Sequence, residues 1–383
     1  MRAAPAAGDT DTIERMPAEW EAFTAGVREG EFDLSCPGLG LGRRTTSRSS
    51  LIRLSGAHIV ALMRSDAGAG ESRDYAKSRP PSPPGLPVQD RCLVMGVVNV
   101  TPDSFSDGGE WFGPDAAISH GLDLAAQGAD IVDVGGESTR PGAQRIAADE
   151  ELRRVGPVIA GLVEAGIPVS VDTMRAEVAE SALLAGARLV NDVSGGRADP
   201  HMPRVVAATG APYVVMHWRG RSRDMDSRAV YADVVTEVCQ ELRQRVDAVI
   251  AQGVGPELIV LDPGLGFGKL PEHNWSLLTA LDRISRLDGA DTAFPVLVGA
   301  SRKRFLGRLL AAPDGTVRPF SGSDDATLAV TALAAAGGAW CARVHKVPGN
   351  ADAVRVAEAW RRAGSPAAQP EAVVPGPATG VPR

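Results

Sequence analysis

The stretch Leu93-Val94-Met95-Gly96-Val97-Val98-Asn99-Val100-Thr101-Pro102-Asp103-Ser104-Phe105-Ser106-Asp107-Gly108-Gly109 is an apolar run that breaks abruptly into a polar, glycine-ended loop. A continuous run of this length suits a strand covered on both faces, with polar residues starting where it emerges. One such junction fits an ordinary strand and capped loop equally well. The junction recurs, however, along the rest of the chain. Further apolar, valine-rich runs stand at 131–134, 169–171, 189–190, 213–216, 258–261, 296–298 and 341–344. Helical spacing fills 116–127, 149–164, 175–184, 203–208, 230–252, 274–286, 324–336 and 351–360. Eight strand-then-helix units over roughly 270 residues predict an α/β fold of the (β/α)8 TIM-barrel type, which takes about 250. A doubly wound open sheet, the runner-up, would carry a glycine-rich phosphate loop in its first unit, and 99–109 is not of that type.

The 383-residue chain has 44% hydrophobic residues but only 4% aromatic ones, which points to a large aliphatic core. Residues 1–90 do not share the strand-helix alternation. A polar, basic run at 43–50 and the proline-rich 79–84 make this segment a largely disordered, low-complexity extension and linker, and 363–383 reads as a disordered tail. The barrel domain is expected over 91–362. A net charge of -7 gives no reason to expect a nucleic-acid surface. The apolar run at 328–342 is interrupted by Thr331, Gly337 and Gly338, so no membrane span is expected, and the N-terminus lacks the apolar segment of a signal peptide. Cys36, Cys92, Cys239 and Cys341 are scattered without metal-ligand spacing and read as reduced core thiols of a cytoplasmic protein.

Active sites of such barrels sit where strands feed their C-terminal loops, and polar residues follow every run. Asn99 follows the first, the polar run 135–142 the second, Asp172 the third, Asn191 and Asp192 the fourth, His217 the fifth, Asp262 the sixth, Ser301-Arg302-Lys303 the seventh, with Arg343 and His345 at the eighth. The acids and amides Asp172, Asn191 and Asp262 suit a flat heterocycle with several donors, and a guanidine-like edge fits Asp262. Lys303, Arg343 and His345 suit phosphate or diphosphate, with Asn99 facing a metal that bridges it. Each residue also has a plainer role. Asp172 suits an N-cap for the helix near Met174, Arg302 and Lys303 suit a solvated helix start, and His217 and His273 suit structural positions. The run 264–269 fails the phosphate-loop pattern, because Pro263 and Leu270 stand where Gly and Ser or Thr are needed, so Lys269 is secondary.

The strings at 99–109, 133–142, 170–173, 191–195, 262–269, 301–303 and 343–345 together resemble the dihydropteroate synthase family. That resemblance implies a pterin-binding TIM barrel, usually dimeric, acting in folate synthesis. It joins 6-hydroxymethyl-7,8-dihydropterin diphosphate to p-aminobenzoate and releases 7,8-dihydropteroate and diphosphate. Carried over by motif, it implies that Asp172, Asn191, Asp262 and Lys303 hold the pterin. Asn99 through Mg²⁺, with Thr139, Arg343 and His345, would hold the diphosphate, and Asp107 would face the pterin cation formed as diphosphate leaves. Phe105, Thr139, Arg140, Pro141 and Ser301 would surround p-aminobenzoate, where sulfonamides compete, and Met216 and Phe267 complete the substrate-binding set. Asp107, Lys303, Arg343 and His345 are the expected catalytic residues. Lys346 stands where the family commonly has an acid. The rivals are a methyltetrahydrofolate-type methyltransferase, which has no diphosphate to hold, and a non-catalytic pterin-binding paralogue, which would have lost loop residues.

Overall fold

The structure is a computed structural model that describes residues 80–101, 113–138, 145–220 and 228–363. The expectations for 1–79 and 364–383 lie outside the described residues. Within the described residues each strand is followed by one or two helices. Strand β1 (Leu93–Asn99) leads to α1 (Pro114–Ala126), β2 (Ile131–Gly135) to α2 (Ala148–Glu164), β3 (Val169–Asp172) to α3 (Ala176–Leu184) and β4 (Leu189–Asp192) to α4 (Met202–Thr209). Then come β5 (Tyr213–Met216), α5 (Val234–Ile250), β6 (Ile259–Asp262), α6 (Pro271–Leu278) and α7 (Leu281–Ser285). Last are β7 (Leu297–Val298), α8 (Arg304–Leu309), α9 (Asp324–Ala336), β8 (Cys341–Val344) and α10 (Val347–Ala363).

The eight strands pair in the order β6-β5-β4-β3-β2-β1-β8-β7, and every pairing is parallel. A parallel bridge between Leu261 and Val296 brings β6 against β7 and nearly closes the ring. The TIM-barrel expectation therefore holds. The single helix expected over 274–286 is instead α6 and α7, broken at Thr279 and Ala280, and α8 was not anticipated at six residues long.

Side-chain alternation explains how an apolar strand can end in a polar site. Leu93, Met95, Ile131, Leu189, Val214, Val260, Leu297 and Cys341 form one buried cluster inside the ring, while their sequence neighbours pack outward against the helices. Each fully buried aliphatic side chain contributes about 1.5–3 kcal/mol. At Gly96 an added Cβ would stand 3.1 Å from Leu124 and 3.2 Å from Val347, so its bareness lets α1 and α10 approach β1 closely. Segment 80–90 covers the lower end of the ring. Leu86 joins the interior cluster, and Trp340 Nε1 donates to Ser82 Oγ at 2.9 Å.

Candidate active site

The same two-residue period that buries Leu93 and Ile131 aims Asp133, Asp172, Asn191, Met216, Asp262 and Arg343 into the upper end of the ring. Register levels them: Asp172 lies opposite Asn191, and Met216 opposite Asp262. Asp192, one residue beyond Asn191, turns outward. Its carboxylate accepts from Ser194 Oγ and N, Gly196 N and Tyr213 Oη, which gives it a structural role.

Arg343 organises the acidic side. Its Nε donates to Asp133 Oδ2 at 2.6 Å and its Nη2 to Asp172 Oδ2 at 2.8 Å. Burial works to lower the guanidinium pKa, yet Asp133 and Asp172 hold it above its ordinary value. Asn191 Nδ2 donates to the same Asp133 oxygen at 3.0 Å. Asp133 Oδ1 is buried and accepts no hydrogen bond among the described residues. Burial raises Asp172 to a pKa of about 7, with Arg343 opposing. The alternative role of Asp172 as a helix cap is not used, because α3 starts without a side-chain cap and Ala176 N donates instead to Asp199.

The opposite wall is the loop after β6. Asp262 Oδ1 accepts from Gly264 N at 2.7 Å, and burial raises this carboxyl above its ordinary range while Lys303 opposes. Gly264 has φ +68° and Gly266 φ +74°, the left-handed region that favours glycine. An added Cβ would come 2.3 Å from His217 O at Gly264 and 2.7 Å from Lys303 Cδ at Gly266. Lys303 Nζ reaches across to Leu265 O and stands 4.3 Å from the centre of the Phe267 ring. Its pKa falls to about 8 through burial, so it is not the solvated helix start that one reading allowed, although it does precede α8. Arg302, with φ +57°, pairs with Asp324 at 3.2 Å.

Ser301 and His345 meet at 3.0 Å between Oγ and Nδ1, and His345 N donates to the same hydroxyl. Asn99 ends β1 opposite Gly135. Phe105, Asp107, Thr139, Arg140 and Pro141 lie outside the described residues. Sequence reasoning missed two features. Asp133 sits inside an apolar run, but its alternation with Ile131 signals an inward carboxylate. Lys269, set aside as secondary, is buried with Nζ 3.0 Å from His217 Nδ1 and 3.1 Å from Phe267 O.

Three inward carboxylates, one inward amide and the cations Arg343 and Lys303 thus share one end of the barrel. Residues 95–345 match the family described as pterin binding enzyme. The chain belongs to that family. Within it the chain groups with the dihydropteroate synthases. It is 54% identical over 279 residues to the dihydropteroate synthase of Mycobacterium leprae, covering 73% of this chain and 95% of that protein. Two solved structures are similar. The Yersinia pestis dihydropteroate synthase in complex with a sulfonamide drug is 36% identical with a TM-score of 0.67, covering 73% of this chain and 98% of that one. The Xanthomonas albilineans dihydropteroate synthase in complex with 7,8-dihydropteroate is 41% identical with a TM-score of 0.60, covering 71% of this chain and 94% of that one. Among the described residues no helix is long and apolar enough to cross a membrane.

Proposed function

We propose that the chain is the transferase that condenses 6-hydroxymethyl-7,8-dihydropterin diphosphate with p-aminobenzoate in folate biosynthesis. The observation that carries this reading is the divided pocket, with Asp133, Asp172, Asn191 and Asp262 offering acceptors to a ring rich in N–H groups while Lys303 and Arg343 offer cations. Asp262 takes the guanidine-like edge of the pterin, with Asp172 and Asn191 along the ring and Lys303 and Phe267 against its face. Met216 lines the pocket beneath. Arg343 uses Nε and Nη2 on carboxylates, which leaves Nη1 as the nitrogen to take the diphosphate, with His345 and Thr139 as its further ligands.

Asn99 supplies an amide oxygen at a strand tip, a hard ligand of the kind Mg²⁺ takes singly when phosphate oxygens and water fill its other positions. Bound there, Mg²⁺ would neutralise charge on the leaving diphosphate. The carbon–oxygen bond breaks with its electron pair leaving on diphosphate. The resulting pterin cation, faced by Asp107, is attacked by the aniline nitrogen, which then sheds a proton. Phe105, Thr139, Arg140, Pro141 and Ser301 surround p-aminobenzoate, and sulfonamides compete there. Positioned cations stabilise the charge that develops at departure, usually the largest catalytic contribution.

The protein is taken to act in the cytoplasm as a homodimer. The exposed apolar side chains Leu333 on α9 and Val356 and Trp360 on the adjoining α10 support the second point. Diphosphate release that requires p-aminobenzoate and is competitively inhibited by a sulfonamide is the expected behaviour. Release that ignores p-aminobenzoate refutes it.

A further inference from the structure

A chain of ionisable groups, buried at Lys269 and His217 and partly exposed at its outer end, runs outward from the loop after β6 and takes no part in the chemistry described above. Lys269 Nζ donates to Phe267 O within its own loop and to Nδ1 of His217 at the end of β5. With Nδ1 accepting, the His217 proton sits on Nε2, which donates to Glu241 Oε2 on α5 at 3.0 Å. Arg219 Nε donates to the two Glu241 carboxylate oxygens at 3.0 and 3.2 Å, and its guanidinium lies 3.8 Å from the centre of the Tyr231 ring. Tyr231 Oη donates back to Gly268 O at 3.0 Å. Two bonds thus fasten the loop from below, and a third fastens it from the side, where Gly266 N donates to Asn274 Oδ1 at 2.6 Å.

The charges along this chain are ordered. Burial, helped by the Lys269 cation, holds His217 neutral with a pKa of about 4. Burial works to raise Glu241, but hydrogen bonds from His217 and Arg219 hold it ionised, at about 2. Burial lowers Lys269 itself to about 7, with Asp262 opposing, so the ammonium is present on the acid side of that value, where the neutral ring leaves Nδ1 as its acceptor. A Cβ at Gly264 would stand 3.3 Å from Lys269 Nζ, and Gly264 N is the donor to Asp262. The ammonium therefore sits directly beneath the turn that holds the Asp262 carboxylate.

Resting on the pterin-pocket reading, we propose that Lys269 is a positioning residue for pterin recognition. Its bond to Phe267 O fixes the loop that carries Asp262 and Phe267, and its charge beneath the Gly264 turn adds to that of Lys303 in favouring the ionised Asp262 carboxylate. Asp262 is buried, and burial alone favours its protonated form, which would present a donor to a donor-rich ring. Lys303 opposes this most, followed by the Gly264 N–H, Lys269 and Arg343. The groups facing Lys269 are His217 and Arg219 after β5, Glu241 from α5, Asp262 from β6 and Lys303 beyond β7.

The test is the affinity of the full chain for 6-hydroxymethylpterin, measured by calorimetry from pH 5 to 8, in wild type, Lys269→Met, Lys269→Gln and Lys269→Arg. Lys269→Met removes donor and charge and is expected to bind pterin about tenfold or more weakly near neutral pH. Lys269→Gln keeps a donor for Phe267 O but not the charge. Its acid-side loss of affinity, set by Asp262 protonation, is expected at a higher pH than that of wild type. Lys269→Arg keeps the charge and returns the acid limb toward wild type. A Lys269→Gln protein with the wild-type acid limb overturns the proposal even if Lys269→Met does not fold. Wild-type protein that binds no pterin at any pH refutes the pocket reading itself.

Discussion

Replacing Asp262 by asparagine separates what this residue does for the fold from what it does for the ligand. In the native pocket Oδ1 is occupied by Gly264 N at 2.7 Å, so the other oxygen is the one turned to a ligand. Asparagine keeps an acceptor for Gly264 but presents an NH2 group where the pterin offers N–H donors. The complex loses a charge-assisted hydrogen bond and leaves a buried donor unpaired, which together cost about 3 kcal/mol, or roughly a hundredfold in affinity. The turn at Gly264 keeps its acceptor, and the protein should still fold, with Lys303 and Lys269 losing the carboxylate that favours their charged forms. Calorimetric titration with 6-hydroxymethylpterin, alongside urea unfolding, measures both. Binding within about threefold of wild type by a folded Asp262→Asn protein would refute the assignment.

Further expectations concern the frame of the site. Gly264→Ala places a methyl group 2.3 Å from His217 O at a positive φ, and should lower unfolding free energy by about 2–6 kcal/mol; a loss under about 1 kcal/mol in urea titration would contradict the close approach. Burial raises Asp172 to about 7, so between the ordinary aspartate range and that value the folded state binds more protons than the unfolded chain. The stability from this group is present at low pH and is lost as pH rises through about 7. Asp172→Asn should flatten that decline in unfolding titrations from pH 4.5 to 7.5, and unchanged slopes would count against the shift. Trp360→Glu should turn a dimer into monomer by sedimentation, and a variant that still sediments as dimer places the interface elsewhere.

Much of this architecture is legible in the chain, for a specific physical reason. A parallel barrel strand is buried on both faces, so it reads as a short aliphatic run, and its polar tip stands out at Asn99, Asp172, Asn191 and Asp262. What escapes notice follows from the same physics. Asp133 hides inside its run, because only alternation, and not position, marks it as inward. Arg343 reads as a diphosphate cation, whereas its pairing with Asp133 and Asp172 joins strands far apart in sequence. Lys269 lacks a recognisable motif partner because its partner, His217, is 52 residues away and is reached only when β5 and β6 lie side by side. The break between α6 and α7 falls at Thr279 and Ala280, where no glycine or proline marks it, whereas α8 ends shortly before Pro313 and Gly315, a stop signal that is legible in the chain.

One assay reads the condensation itself. Purified protein given 6-hydroxymethyl-7,8-dihydropterin diphosphate, p-aminobenzoate and Mg²⁺ is expected to yield 7,8-dihydropteroate, identified by mass, in equimolar amount with diphosphate. Pterin bound in the pocket with no dihydropteroate formed would contradict the account.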